Sequence, residues 1–164
     1  MEEQRRELPI NVLVVGLAGS GKSTLLHCIN QHVYDNNILS YFVNLDPATA
    51  DLDFSANIDI RDSVNYDSVM QSFNLGPNGA ILTSLNLFAT SFHDVVKIAQ
   101  ETEGLNYVFY DTPGQIEAFA WSASGGLITE ALASTFKTVV LFVVDVPRSE
   151  EHTSELQSQS NLVC

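Results

Sequence analysis

Basic residues are scarce in this 164-residue chain. Seven lysines and arginines stand against twenty aspartates and glutamates, for a formal charge of −13 at pH 7. That balance argues against direct nucleic-acid binding and against attraction to an anionic membrane, since both need a positive field. Any phosphate-bearing ligand must therefore be held by a local device. Cysteine is scarcer still, with only Cys28 and Cys164. No disulfide framework can be written from two residues, and an intracellular, reducing location is the expectation. No apolar run reaches the ~18 residues of a membrane span. The charged opening MEEQRRE is followed by no signal-peptide core, and residues 1–8 read as a flexible N-terminus.

What the chain does have is apolar material for one core, at 45% hydrophobic residues. Four short continuous runs carry much of it: Asn11–Gly16, Tyr41–Asp46, Asn106–Asp111 and Thr138–Asp145. Continuous rather than alternating runs suit strands covered on both faces, as in a parallel sheet. Helix-like stretches fall between them at 22–33, 63–73, 84–100 and 127–134. The alternation predicts an α/β fold with a doubly wound, mostly parallel sheet. Ligands of such sheets sit beyond the carboxyl ends of the strands, where Gly16, Asp46, Asp111 and Asp145 fall.

The sharpest motif is GLAGSGKST, Gly16–Thr24, which follows the first strand and opens the first helix. It fits G-x-x-x-x-G-K-[ST] at Gly16, Gly21, Lys22 and Ser23 and places the chain among P-loop NTPases. Glycines let backbone N–H groups turn inward around a phosphate, and the helix N-terminus adds partial positive charge. The whole loop, with Gly19, Ser20 and Thr24, is thus a candidate nucleotide cradle. Lys22 would reach the β- and γ-phosphates, and the Ser23 hydroxyl would ligate Mg2+. A second motif, DTPGQ at Asp111–Gln115, fits D-x-x-G after an apolar run. Asp111 there can hold Mg2+ through water, and the Gly114 amide can meet a γ-phosphate. Gln115 stands where several GTPases keep a water-positioning glutamine. Asp46, in NLDPA, is a further carboxylate for the metal shell or for orienting water. LGPNGA at Leu75–Ala80, taken alone, reads as a type II turn.

GLAGSGKST, NLDPA, GPN and DTPGQ occur in that order, together with ANIDIRD (Ala56–Asp62), TSLNLFAT (Thr83–Thr90) and WSASG (Trp121–Gly125). This set resembles the GPN-loop GTPases over Pro9 to Asp145. The resemblance implies a dimerising GTPase related to the signal-recognition and MinD-type class, with GTP and Mg2+ as cofactors. It implies that Gly76, Pro77 and Asn78 reach toward a partner subunit's active site, with Asn78 acting in trans to fix the attacking water. Asp46, Asp111 and Gln115 would organise metal and water. The implied partners are a second copy or a paralogue, and RNA polymerase II subunits. The implied role is assembly and nuclear import of that polymerase, from a cytoplasmic location with shuttling to the nucleus. Two other readings use the same residues: an ATPase of the same structural class, and a nucleotide-gated assembly factor with little turnover.

Base recognition by such enzymes usually rests on a later [NT]-K-x-D. Neither Lys97, in VKIA, nor Lys137, in FKTV, lies in one. Composition changes sharply at Pro147. Arg148–Ser158 and Asn161–Cys164 resemble the translation of a short-read sequencing adapter, the alternative being a native polar tail. The expectation is a GTPase domain over 9–147, cut short and followed by a non-native segment over 148–164. Such a sheet would be incomplete at its C-terminal side and leave apolar faces uncovered, and a further reading is that the fragment itself has no activity. Four isolated polar or aromatic residues get plainer readings: His27 and Cys28 pack on the first helix, His93 lies on a helix surface, and Trp121 serves packing or an interface.

Overall fold

A computed structural model of the chain describes residues 7–145. The segment 148–164, with Pro147 and most of the N-terminal stretch, lies outside the described residues. The strands are β1 (Ile10–Gly16), β2 (Ser40–Asn44), β3 (Ile58–Asp59), β4 (Tyr107–Asp111) and β5 (Thr138–Val143). They form one five-stranded sheet in the order β3-β2-β4-β1-β5, and every pairing is parallel. Among the described residues the sheet is wholly parallel, in keeping with the doubly wound, mostly parallel sheet expected.

Seven helices are described: α1 (Lys22–Asp35), α2 (Ile60–Ser63), α3 (Tyr66–Phe73), α4 (Pro77–Ala89), α5 (Phe92–Glu101), α6 (Ile116–Ala120) and α7 (Ala123–Thr135). The chain runs one way across the sheet from β1 to β2 and the opposite way from β3 through β4 to β5. Right-handed crossovers in opposite directions put their helices on opposite faces. Hence α1 alone packs Leu26 and Val33 with Val14, Phe42 and Phe109 on one face. Helices α2 to α7 share the other face, with Ile81, Leu85, Phe88, Ile128 and Leu132 against Leu13, Val43, Val108 and Tyr110. Alternate residues of one strand therefore serve different cores, which explains why the strands read as unbroken apolar runs.

Three expectations need correction. Residues 84–100 do not form one helix. The Thr90 hydroxyl donates to Leu87 O (2.7 Å) and the Ser91 hydroxyl to Phe88 O (3.1 Å), while both backbone N–H groups close i→i−3 bonds to the same carbonyls. Such back-bonding tightens the last turn and ends α4. Second, Leu75–Ala80 is not a type II turn, which would need Asn78 at positive φ. Gly76 is instead the extended N-cap of α4, Pro77 opens the helix, and Ala80 N–H donates to Gly76 O (2.9 Å). Proline suits that position because the first helical N–H has no partner to lose. Third, Asp46 and Asp145 lie two residues beyond the strands they were expected to end. At the sheet edge β5 pairs with β1, and Val139, Val140 and Phe142 are each more than half exposed.

Candidate functional site

The ends of β1, β2 and β4 define the site. Gly16 closes β1, and the loop after it must reverse toward α1 while keeping its N–H groups inward. Gly19 (φ 76°) and Gly21 (φ 95°) make that turn in the left-handed region, which side chains disfavour. Gly21 caps α1 without any side-chain bond, and the first turn of α1 holds no acidic residue. The N-terminal N–H groups of the helix and its partial positive charge are therefore left to a ligand.

Lys22 is buried, and its Nζ donates to Gly16 O (2.9 Å) and Leu17 O (3.2 Å). Two of its three protons thus lie on loop carbonyls. Burial lowers its pKa from the ordinary lysine value, and the charges of Asp111 and Asp46 oppose that fall. Lys22 and Asp46 in turn act on Asp111. Burial raises its pKa to about 6, Lys22 pulls it down, and Asp46 pushes it further up. The structure thus brings Lys22, Asp46 and Asp111 within electrostatic reach of one another, as the motifs require.

Asp111 is 3% exposed, and its Oδ1 has no hydrogen-bond partner among the described residues. A buried, unsatisfied carboxylate oxygen calls for a water or cation. Ser23 follows Lys22 in the first turn of α1, and Ser20 Oγ is a second buried oxygen with no partner. Among the described residues no three His, Cys, Asp or Glu side chains gather to hold a metal. A cation here must take much of its coordination from phosphate and water, the habit of Mg2+. The donor set fits it.

The D-x-x-G segment meets the phosphate loop directly. Ala18 N–H donates to Gly114 O (3.1 Å), and a Cβ on Gly114 would stand 2.8 Å from Ala18 Cα. Glycine is required by that approach. The Gly114 carbonyl makes this contact. Thr112 Oγ1 donates to Val14 O (2.8 Å) and ties the segment to β1. Gln115 is the half-buried N-cap of α6.

Gly76, Pro77 and Asn78 are all exposed at the start of α4. Tyr66 OH donates to Pro77 O (3.3 Å). Burial raises the Tyr66 pKa, and the charges of Asp46 and Asp67 add to the rise.

Sequence reasoning missed Asn44, Asp59 and Arg61, which form one hydrogen-bonded group holding the two ends of the Asp46–Ala50 loop. Asn44 is fully buried and bonds the Asp46 backbone at both N–H (2.9 Å) and C=O (3.1 Å). The NLDPA and IDIRD segments held the signal, but only β2–β3 pairing brings them together. Of the isolated residues, His27 Nδ1 meets Asp53 O, while Cys28 is exposed rather than packed. His93 is exposed, as expected. Trp121 is 78% exposed, so packing within this chain is not its role.

Comparison with known proteins agrees with this geometry. A family model described as a conserved hypothetical ATP binding protein matches residues 14–162. GPN-loop GTPase 1 of Dictyostelium discoideum is 56% identical over 147 residues, which are 89% of this chain and 37% of that protein. GPN-loop GTPase QQT2 of Arabidopsis thaliana is 58% identical over 151 residues, 92% of this chain and 39% of that protein. The chain therefore covers less than two fifths of either relative's length. Among solved structures, a Pyrococcus abyssi GTPase in apo form is 32% identical with a TM-score of 0.69, covering 81% of this chain and 52% of that one. A P-loop fold with its phosphate loop, acidic pair and Gly-Pro-Asn segment at the start of α4, and these identities, lead to one conclusion: the chain belongs to the GPN-loop GTPase family.

Proposed function

We propose that the protein binds GTP with Mg2+ in the cradle formed by Gly16–Thr24 and hydrolyses it. One observation carries this reading: Lys22, Asp46 and Asp111 converge beside the phosphate loop, and Asp111 presents a buried, unpaired oxygen. Lys22 and the N–H groups of Gly19, Gly21 and Ser23 hold the phosphates. Ser23 and Asp111 hold Mg2+, which when bound neutralises charge on the β- and γ-phosphates. Gln115 orients the attacking water, and Asp46 sets the charge around it. The site works by positioning and electrostatic stabilisation, without a covalent step.

Dimerisation belongs to the same reading. Asn78 is exposed at the first turn of α4, a placement that supports a role toward a second copy or a paralogue. A cytoplasmic protein moving to the nucleus and acting on RNA polymerase II subunits is the cellular role we attach to it, on family resemblance. An ATPase is the second reading, favoured by the family model's description and by a phosphate loop that does not read the base.

Phosphate release by the full chain tests these claims. GTP should be turned over, with ATP a poor competitor. Gln115→Ala and Asn78→Ala should lose turnover while keeping nucleotide binding. Equal competition by ATP would replace the GTP reading with the second one, and undiminished turnover in both variants would remove Gln115 and Asn78 from the mechanism.

A further inference from the structure

The Asp46–Ala50 loop carries one of the three converging charges, yet it belongs to no helix or strand. Its start is held by Asn44, whose side chain pairs with both backbone groups of Asp46. Within the loop, Asp46 Oδ1 accepts from Ala48 N–H (2.9 Å), which fixes the carboxylate's rotation. Its end is held by Arg61, whose Nη1 donates to Thr49 O and Ala50 O, both at 3.0 Å. Arg61 is fixed in turn by Asp59. Its Nε lies 3.0 and 3.1 Å from the two carboxylate oxygens, and its Nη2 lies 2.7 Å from Oδ2.

Asp59 closes the circuit. Its Oδ1 accepts from Asn44 Nδ2 (3.0 Å) and from Arg61 N–H (2.8 Å). Both clamps on the loop therefore rest on one carboxylate, whose side chain is 11% exposed. Arginine's planar fork is what lets one residue grip a carboxylate and two carbonyls at once, and lysine's point charge does not. An ordinary helix cap would need only the bond from Arg61 N–H to Asp59. The remaining bonds lock the Arg61 side chain onto Asp59 and tie that pair to the loop and to Asn44.

We infer that Asn44, Asp59 and Arg61 are positioning residues that fix the Asp46–Ala50 loop, and with it the Asp46 carboxylate, beside the phosphate site. This rests on the proposed hydrolysis for its kinetic consequence but not for its structural one. Arg61→Lys and Asp59→Asn keep size and much of the polarity, so both should fold with cooperative melting. Two readouts are taken on the full chain.

The first is amide hydrogen exchange at Ala48, Thr49 and Ala50 without nucleotide. It should quicken by about tenfold or more in both variants, as expected when local hydrogen bonds that hold a segment are lost. The second is steady-state hydrolysis of GTP at saturating Mg2+. The account expects kcat to fall about tenfold to a hundredfold, the scale of a misplaced catalytic group, with KM nearly unchanged because Lys22 and the phosphate loop are intact. Unchanged exchange in both variants would overturn the clamp. Faster exchange with unchanged kcat would overturn its positioning role. If the wild-type chain turns over no GTP, the function reading has failed instead, and exchange alone decides the clamp.

Discussion

Asp111 shows how one residue meets two opposed demands. In the proposed site its carboxylate must be charged to hold Mg2+, yet burial raises its pKa from 3.8 to about 6. A raised acid pKa means that the folded state holds the proton more tightly than the unfolded chain between those values. The contribution of Asp111 to stability is therefore greatest below that window, falls as pH rises through it, and stays low above pH 6. Two outcomes follow for Asp111→Asn. Thermal melts of the nucleotide-free protein at pH 7–8 should show a higher Tm than wild type, because a buried charge has been removed. Nucleotide binding should lose its dependence on Mg2+. In the wild type, tightening by Mg2+ should fade as pH drops below about 6. A lower Tm for Asp111→Asn would contradict the desolvation argument. Lys22, Asp46 and Asp111 were legible in the sequence because each sits at a fixed offset from a strand or glycine. Asn44, Asp59 and Arg61 were not, because their meaning depends on the Asn44–Asp59 register of β2 and β3. Asp59 ends a strand of only two residues, which no periodicity reveals.

At the scale of elements, sequence and structure part where polar side chains act on the backbone. The long stretch 84–100 has helical spacing throughout, but Thr90 and Ser91 divert their hydroxyls to carbonyls one turn back and split it. The Gly-Pro-Asn segment has turn composition, and the same residues also suit the start of a helix. Burial of Ala80, Ile81, Ser84, Leu85 and Phe88 along one face of α4 decides for the helix. The site depends on how such elements meet. Gly114→Ala tests the meeting of the D-x-x-G segment with the phosphate loop. Its new methyl would fall 2.8–2.9 Å from Ala18 Cα and Cβ, an overlap that must push the two loops apart. Overpacking of this kind costs about 1–3 kcal/mol. The expected result is a lower denaturation midpoint together with weaker nucleotide binding. A variant with wild-type affinity would show that the two loops need not touch.

On the whole molecule, oppositely directed crossovers leave the carboxyl ends of β1, β2 and β4 open between α1 on one face and α2–α7 on the other. That opening was legible from the order of apolar runs and motifs alone. The unequal covering of the faces was not, since it follows from where the chain reverses direction across the sheet, after β3. The chain carries a net charge of −13, so its overall field does not attract a nucleotide, and binding must rest on Lys22, oriented N–H groups and the cation the nucleotide carries. The central claim is that these local devices make a Mg2+-dependent phosphate site. Titrating a nonhydrolysable GTP analogue into the full chain, with Mg2+ and with a chelator, tests it most directly in wild type and Lys22→Ala. The account predicts saturable binding tightened by Mg2+ and weakened about 10- to 100-fold by Lys22→Ala, the loss of a charge-assisted hydrogen bond. Binding that ignored both Mg2+ and Lys22→Ala would contradict it.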